Sequence, residues 1–186
     1  MLTLSIYGSP GSEGFSSTLH NEFLKAFEEK GIKIVKVFPY RSDINPCIAC
    51  GNCRDKPQCI YNDDMTEIYS LIREADFITI SSPLYFSSFP SPLKALIDRC
   101  QLIWEERRRL HSVDRFKRGF FISTGGAEYN NMFAGVVMGI KHYFNSIGVT
   151  FSAENTVLLP GVDALGQISL DILNKIRHTG NTFINY

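Results

Sequence analysis

Strand-like and helix-like patterns of apolar residues alternate along this chain of 186 residues. Short runs of apolar or alternating residues are typical of β-strands, whereas apolar residues spaced three or four apart are typical of amphipathic helices. Each strand pattern is followed by a helix pattern before the next strand begins. This order predicts an α/β fold, an open parallel sheet with helices on both faces. The predicted strands span residues 2–7, 32–38, 76–81, 119–124 and 149–160.

The starts of two helices can be predicted from single residues. Asp64 begins the stretch "DMTE", in which a carboxylate can accept the free N–H groups of a first helical turn, so we predict it as an N-cap. Ser91 and Pro92 begin another helix, because proline favours the first helical position. The predicted helices cover residues 16–30, 64 onward, 91 to about 103, 133–147 and about 163–178.

Neither pattern is present between the second strand and the second helix. A loop of roughly 25 residues is long for a compact domain and usually has a function of its own. Four of the five cysteines lie in it with the spacing C-x2-C-x2-C-x5-C, at Cys47, Cys50, Cys53 and Cys59. We therefore predict a single domain over residues 1–186 with a cysteine-rich insertion at about 39–64.

Composition excludes several classes of protein. The chain is 44% hydrophobic and its formal net charge is zero, so it can build a core and has no general attraction to nucleic acid. It begins with a strand pattern rather than a signal peptide, and no apolar run reaches the ~18 residues of a membrane span. We expect a cytoplasmic protein with no nucleic-acid partner and no membrane span, in which thiols stay reduced.

Reduced cysteines at this spacing favour a metal or redox role over disulfides. The run C-x2-C-x2-C allows one backbone to hold three thiolates around a face of an iron–sulfur cluster, as in bacterial ferredoxins, and Cys59 would complete the set. Zinc sites with four cysteines more often use two well-separated C-x2-C pairs. From the residues alone, an iron–sulfur cluster, a zinc ion and a metal-free or disulfide-bonded quartet are all open. Cys100 differs, because it lies in an apolar helical stripe and is expected to be buried.

The loop after the first strand, "GSPGSEGFSST" (8–18), is rich in glycine and hydroxyl side chains. In parallel sheets ligands bind beyond the carboxyl ends of the strands, and the start of a helix favours an anion. The loop has neither the G-K-[ST] of a P-loop nor the G-x-G-x-x-G of a dinucleotide site. Its neutral donors suit a phosphate monoester such as that of FMN. An ordinary glycine–serine loop with helix caps is the alternative.

Two more stretches follow strands, "SSPLYFSSFPSPLKALIDR" (81–99) and "STGGAEYN" (123–130). Together with the first loop and the cysteines, they resemble the flavodoxin-like NAD(P)H-dependent FMN reductases, and within them the iron–sulfur flavoproteins. The first loop departs from the pattern G-S-P-R-x-x-G-N-T-x-x-L, with Gly11 in place of arginine and Phe15–Ser16 in place of Asn-Thr. The resemblance implies a flavodoxin-like, doubly wound, five-stranded parallel sheet with helices on both faces.

The resemblance also implies the cofactors and the residues that bind them. Cys47, Cys50, Cys53 and Cys59 would hold a [4Fe–4S] cluster, and no catalytic side chain is expected, because the cofactors carry the chemistry. The implied FMN contacts are Ser9, Gly11, Ser16 and Ser17 at the phosphate, then Pro83, Leu84, Tyr85, Phe86 and Ser87 at the ring and ribityl chain, and Thr124, Gly125 and Gly126 at the ring edge.

The implied function is an FMN-binding oxidoreductase or electron-transfer flavoprotein that uses ferredoxin or NAD(P)H as its redox partner. The resemblance implies a homodimer or homotetramer. One alternative is a cluster-free NAD(P)H-dependent FMN or quinone reductase, and another is a non-enzymatic redox-sensing or zinc-stabilised module. The basic run at residues 105–118 is predicted to be a solvated helix end. Its alternative role is to dock an acidic electron-transfer partner or the phosphate of a nicotinamide cofactor.

Overall fold

The structure, a computed structural model, describes residues 1–110 and 116–185. Five strands among these residues form one all-parallel sheet in the order β2-β1-β3-β4-β5. This is the strand order of flavodoxin-like folds, so the predicted fold class is confirmed. The strands are β1 (Leu2–Tyr7), β2 (Lys33–Val37), β3 (Phe77–Pro83), β4 (Arg118–Thr124) and β5 (Thr156–Leu159).

The helices cover both faces of this sheet. Two of them, α1 and α8, pack on one face, and α3 to α6 pack on the other. No helix in the two described ranges is long and apolar enough to cross a membrane. The helices are α1 (Phe15–Glu29), α2 (Asn52–Asp55), α3 (Met65–Glu74), α4 (Ser91–Arg99), α5 (Gln101–Leu110), α6 (Ala134–Ser146), α7 (Val162–Leu165) and α8 (Leu170–Asn185), with short 3-10 turns at Pro39–Arg41 and Ala153–Asn155.

The two faces of the sheet have different cores. Aliphatic strand residues such as Ile6 and Ile80 face α3 to α6, whereas aromatic residues fill the face under α1 and α8. Phe23 of α1 stacks on Phe120 of β4 with the ring centroids 4.1 Å apart, and Phe183 of α8 packs on both. The strands are buried on both faces because helices cover both sides, as in other parallel sheets.

Three elements differ from the prediction by more than two residues. β5 is limited to Thr156–Leu159, because a 3-10 turn at Ala153–Asn155 interrupts the predicted strand. The helix predicted from residue 91 to about 103 is divided at Cys100 into α4 and α5. The last helix is divided too, since Gly166 ends α7 with a φ of 63°. Its second part, α8, continues beyond the predicted end at residue 178 and carries Phe183 into the aromatic core.

Asp64 is the N-cap residue of α3, as predicted, but it has a helical φ of −58° and its side chain makes no capping hydrogen bond. The carboxylate of Asp63 instead accepts the N–H of Met65 at 3.2 Å. Asp64 accepts the backbone N–H of Asp43 at 2.8 Å, so it ties the two ends of the long loop together.

Candidate functional site

The three loops predicted to bind FMN meet at one edge of the sheet. We call residues 8–18, 81–88 and 123–130 the carboxyl edge. The N–H of Gly8 donates to the Ser81 carbonyl at 2.7 Å, and the N–H of Leu84 donates to the Thr124 carbonyl at 2.8 Å. The N–H of Gly125 donates in turn to the last residue of β5 at 3.0 Å. Backbone hydrogen bonds therefore join all three loops across the switch point between β1 and β3, where ligands bind in this strand order.

The first loop places hydroxyl groups around the start of α1. Ser16 and Ser17 are buried in the first turn, and no side chain caps this helix. The Ser17 hydroxyl donates to the Gly11 carbonyl at 2.9 Å, which folds the loop over the helix end. Ser9 is buried beside them, and a Cβ atom on Gly11 would meet nothing within 4 Å. The uncapped N–H groups and neutral hydroxyls form a site that fits a phosphate.

The second loop contains a strained turn. Tyr85 and Ser88 exchange two backbone hydrogen bonds of 3.1 and 2.9 Å, and between them Phe86 and Ser87 have φ values of 49° and 57°. Two successive non-glycine residues in the left-handed region cost on the order of 1 kcal/mol or more each, and such strain is concentrated at binding sites. The turn exposes the Phe86 side chain completely and leaves Tyr85 about half exposed.

Neighbouring elements hold this turn in position. The hydroxyls of Ser87 and Tyr129 lie 3.1 Å apart, which links the second loop to the third. Gly135 of α6 lies so close to the turn that a Cβ atom there would be 2.5 Å from the Ser87 carbonyl oxygen. The aromatic side chains are thus presented from a fixed backbone.

The glycines of the third loop have a packing role that the sequence did not predict. A Cβ atom on Gly125 would collide with Met132, and one on Gly126 would collide with the carboxylate of Asp163. The N–H of Val162 donates to the Gly125 carbonyl at 3.1 Å. These contacts bring the start of α7 to the carboxyl edge, which the sequence alone did not predict. Thr124, the third residue predicted here, is buried at the end of β4.

A buried histidine lies under the carboxyl edge and was missed from the sequence. Nε2 of His20 is 2.8 Å from the Thr79 hydroxyl, and Nδ1 is 3.0 Å from the Ser81 hydroxyl. The Ser5 hydroxyl continues this network at 3.0 Å from Thr79. Burial lowers the pKa of His20 to about 3, with a smaller contribution from Lys36, so the ring is neutral at pH 7. Hydroxyl residues inside otherwise apolar strands were the available signal for this network.

The four clustered cysteines line one cavity of about 190 Å³. All four thiols are free, with Cys47 and Cys50 exposed and Cys53 and Cys59 partly buried. No group of three or more His, Cys, Asp or Glu side chains in the described ranges is close enough to hold a metal ion. The structure thus brings the predicted quartet around a common space rather than to a single point. Cys100 is buried elsewhere, as predicted, and burial raises its pKa to about 12.

Arginine side chains hold the cysteine loop, which we define as residues 39–64. Arg109 of α5 donates to the carbonyls of Cys53 and Arg54 at 2.6 and 3.0 Å. Arg107 donates to two carbonyls at the end of α6, at 2.8 and 2.9 Å. The expectation of a solvated helix end agrees with the exposed Arg108, whereas Arg107 and Arg109 are half-buried and donate to backbone carbonyls of neighbouring elements. Residues 111–115 of the predicted basic run lie outside the described residues.

A buried ion pair anchors the other side of the cysteine loop. Arg99 of α4 makes two hydrogen bonds to Asp63, at 2.6 and 3.0 Å, and the two side chains are 1% and 2% exposed. Arg99 also donates to the Asn45 carbonyl at 2.8 Å. Burial alone would raise the pKa of Asp63, but the hydrogen bonds from Arg99 lower it overall, so the carboxylate stays charged. No local sequence pattern predicts this pair.

The strand order and the loops at the carboxyl edge define a flavodoxin-like α/β protein, and solved structures share this fold. An NAD(P)H:quinone oxidoreductase from Methanothermobacter marburgensis has a TM-score of 0.72 over 98% of this chain and 96% of that one, at 18% identity. An FMN-dependent NADH-azoreductase from Bacillus anthracis, solved in complex with FMN, has a TM-score of 0.65 over 100% and 98%, also at 18% identity.

The family model for NADPH-dependent FMN reductase matches residues 1–161. An iron–sulfur flavoprotein of Methanosarcina thermophila is 30% identical over 190 aligned positions, which cover 95% of this chain and 97% of that protein. An iron–sulfur flavoprotein of Methanocaldococcus jannaschii is 38% identical over 99 positions, about half of each chain (53% and 51%). The chain belongs to the NADPH-dependent FMN reductase family, and its relatives agree with the iron–sulfur flavoprotein branch. It is an FMN-dependent oxidoreductase.

Proposed function

We propose that this oxidoreductase binds a [4Fe–4S] cluster on Cys47, Cys50, Cys53 and Cys59 and connects a one-electron donor such as ferredoxin with a two-electron acceptor. The observation that carries the proposal is that all four thiols line one cavity. When bound, a flavin exchanges one or two electrons and an iron–sulfur cluster exchanges one, so the two cofactors together suit such a connection.

The spacing of the cysteines favours a cluster over zinc. Zinc sites with four cysteines more often use two well-separated C-x2-C pairs, whereas bacterial ferredoxins bind iron–sulfur clusters with the run C-x2-C-x2-C. Ile48, Tyr61 and Trp104 also line the cavity and would restrict the access of water to a bound cluster.

At the carboxyl edge we propose that Ser9, Ser16, Ser17 and the free N–H groups of α1 bind the FMN phosphate. Neutral donors there would act without a cation, since Gly11 stands where the family pattern has arginine. Pro83, Leu84, Tyr85, Phe86 and Ser87 would contact the ring and the ribityl chain, and Thr124, Gly125 and Gly126 the ring edge. The strained, exposed Tyr85–Ser88 turn supports this assignment, because folding alone gives no reason to expose Phe86.

The remaining expectations are also proposals. We propose that the chain forms a single domain, acts in the cytoplasm and works as a homodimer or homotetramer. Exposed apolar side chains such as Phe86, Trp104 and Met138 support self-association, because contacts between copies would remove them from water.

A cluster-free NAD(P)H-dependent FMN or quinone reductase is the second candidate, favoured by the exposure of Cys47 and Cys50, which leaves a cluster open to oxidants. Anaerobic stopped-flow reduction of bound FMN by reduced ferredoxin separates the two. The proposal expects rapid reduction in the wild type and at least a tenfold slower reaction in Cys53→Ala. Equal rates in both proteins, together with rapid NAD(P)H oxidation, would establish the simpler reductase.

A further inference from the structure

Arg99 is part of the wall of the cysteine cavity, and Asp63 is not. Arg99 thus contacts the buried carboxylate of Asp63 and also borders the space that the four cysteines line. It stacks on Tyr61, another wall residue, with Cζ 4.9 Å from the ring centroid. It is also close enough to Cys59 for their charges to interact. A guanidinium is always protonated, so this charge is permanent.

One donor of Arg99 is unused. The two terminal nitrogens bind Asp63 and Asn45, but the buried Nε–H has no hydrogen-bond partner among the described residues. Buried donors in proteins are almost always paired, so an unpaired one indicates a site for a bound acceptor. Sulfur atoms bound at the cavity are acceptors of the kind that would satisfy it.

We propose that Arg99 is a positioning and charge-compensating residue of the cysteine site. Its charge and its free Nε–H act on the sulfur atoms near Cys59, and the ion pair with Asp63 holds the guanidinium in place. This inference rests on the proposed cluster. Net charge and hydrogen bonds to sulfur are the main determinants of a cluster's reduction potential. Arg99 should therefore raise the potential, because a cation stabilises the reduced form, which carries one more negative charge.

The two members of the ion pair carry opposite charges, so removing each of them should shift the cluster potential in opposite directions. Arg99→Gln removes the cation and should lower the cluster potential, whereas Asp63→Asn removes the anion that pairs with Arg99 and should raise the potential. Arg99→Lys keeps the charge but loses the Nε–H, so a smaller decrease is expected. A purely structural role predicts the same defect from both Arg99→Gln and Asp63→Asn, because each breaks the same bridge.

The measurement is an anaerobic redox titration of the cluster signal by electron paramagnetic resonance, on protein whose iron and sulfide contents have been determined. The flavin potential of the same samples is the internal control and should move less. If a single variant does not fold, the double variant Arg99→Gln/Asp63→Asn removes both charges without leaving either one buried alone. Its potential should lie below that of the wild type, but less so than in Arg99→Gln.

Shifts of equal sign in the two single variants, or an unchanged potential in the double variant, would overturn the inference while leaving the proposed function intact. A wild-type protein without iron and sulfide would overturn both. Opposite shifts with unchanged iron content would establish Arg99 as a residue that tunes the site electrostatically.

Discussion

The carboxyl edge and the cysteine loop are held together in different ways. Backbone hydrogen bonds join the loops of the carboxyl edge to one another and to neighbouring strands, as in the bond from Leu84 to Thr124. The cysteine loop has little regular structure, and side chains of the adjacent helices hold it, chiefly Arg99 and Arg109. The first site therefore depends on the fold as a whole, and the second depends on a few charged contacts.

This difference implies that the two sites can be damaged separately. Removing a side chain that anchors the cysteine loop should leave the sheet and its loops intact. A substitution that moves the backbone of the carboxyl edge should leave the cysteines in place.

Cys53→Ser should abolish iron binding while FMN remains at about one per chain, because a hydroxyl is a poor ligand for iron in such clusters. Cys100→Ser is the matched control, since Cys100 lies outside the cavity and should keep its iron. Iron and FMN analysis of anaerobically purified protein measures both. Loss of FMN along with the iron in Cys53→Ser would show that the two sites depend on each other.

Acid should destabilise the carboxyl edge through His20. The folded pKa of His20 is about 3, below the ordinary histidine value of 6.5, so between these values only the unfolded chain binds a proton. The contribution of His20 to the free energy of unfolding is fully present above pH 6.5. It decreases as the pH falls, by up to about 1.4 kcal/mol per pH unit. Urea unfolding at pH 7 and pH 5 should differ by about 2 kcal/mol from this group alone.

The pH dependence can be assigned to His20 with two variants. His20→Gln removes the titrating group, and the difference between pH 7 and pH 5 should shrink by about 2 kcal/mol even if the variant is less stable overall. His178→Gln changes an exposed histidine and should retain the wild-type difference. An unchanged difference in stability between pH 7 and pH 5 in His20→Gln would contradict the assignment.

Arg109→Met should loosen the cysteine loop, because it removes hydrogen bonds to the carbonyls of Cys53 and Arg54. Charged hydrogen bonds contribute about 1.5–3 kcal/mol when buried and less at a partly exposed site, so we expect roughly tenfold faster amide exchange in the loop. Exchange in β1 and β3 should not change. Lys94→Met, which breaks an exposed ion pair with Asp98 within α4, is the control with little expected effect.

Gly135→Ala should weaken FMN binding by about fivefold to tenfold, or about 1 kcal/mol, because the new methyl group must displace the Ser87 carbonyl. Alanine favours a helix over glycine, so reduced stability of α6 would not explain the loss. Met138→Ala, an exposed change in the same helix, is the control. Fluorescence titration with FMN gives the affinity of each variant. Equal affinities in Gly135→Ala and Met138→Ala would show that the Tyr85–Ser88 turn does not contact the flavin.

Gly11→Arg should strengthen FMN binding by about threefold to fivefold, because the loop has room for the side chain and an exposed charge pair contributes about 0.5–1 kcal/mol. The gain should disappear at high salt. Gly11→Gln is the control, because it adds a long side chain without adding a charge. A similar gain in both variants would mean that the phosphate is not near residue 11.

The fold could be predicted from the sequence because the strand and helix patterns are local and strong. The position of the carboxyl edge could be predicted from the topology, because the carboxyl ends of parallel strands lie along the same edge of the sheet. What could not be predicted were side-chain pairs between distant residues. Arg99 and Asp63 are 36 positions apart, and Arg109 and Cys53 are 56 apart, so no local pattern connects them. The interruption of β5 was missed because an edge strand with half-exposed residues has weak patterning.

The central claim is that one chain holds a flavin at the carboxyl edge and an iron–sulfur cluster in the cysteine loop. The most direct test is to purify the protein without oxygen and to measure FMN, iron, acid-labile sulfide and zinc in the same sample. The expected result is about one FMN, four irons and four sulfides per chain, with no stoichiometric zinc. One FMN per chain without iron and sulfide would contradict the claim, and so would one zinc per chain.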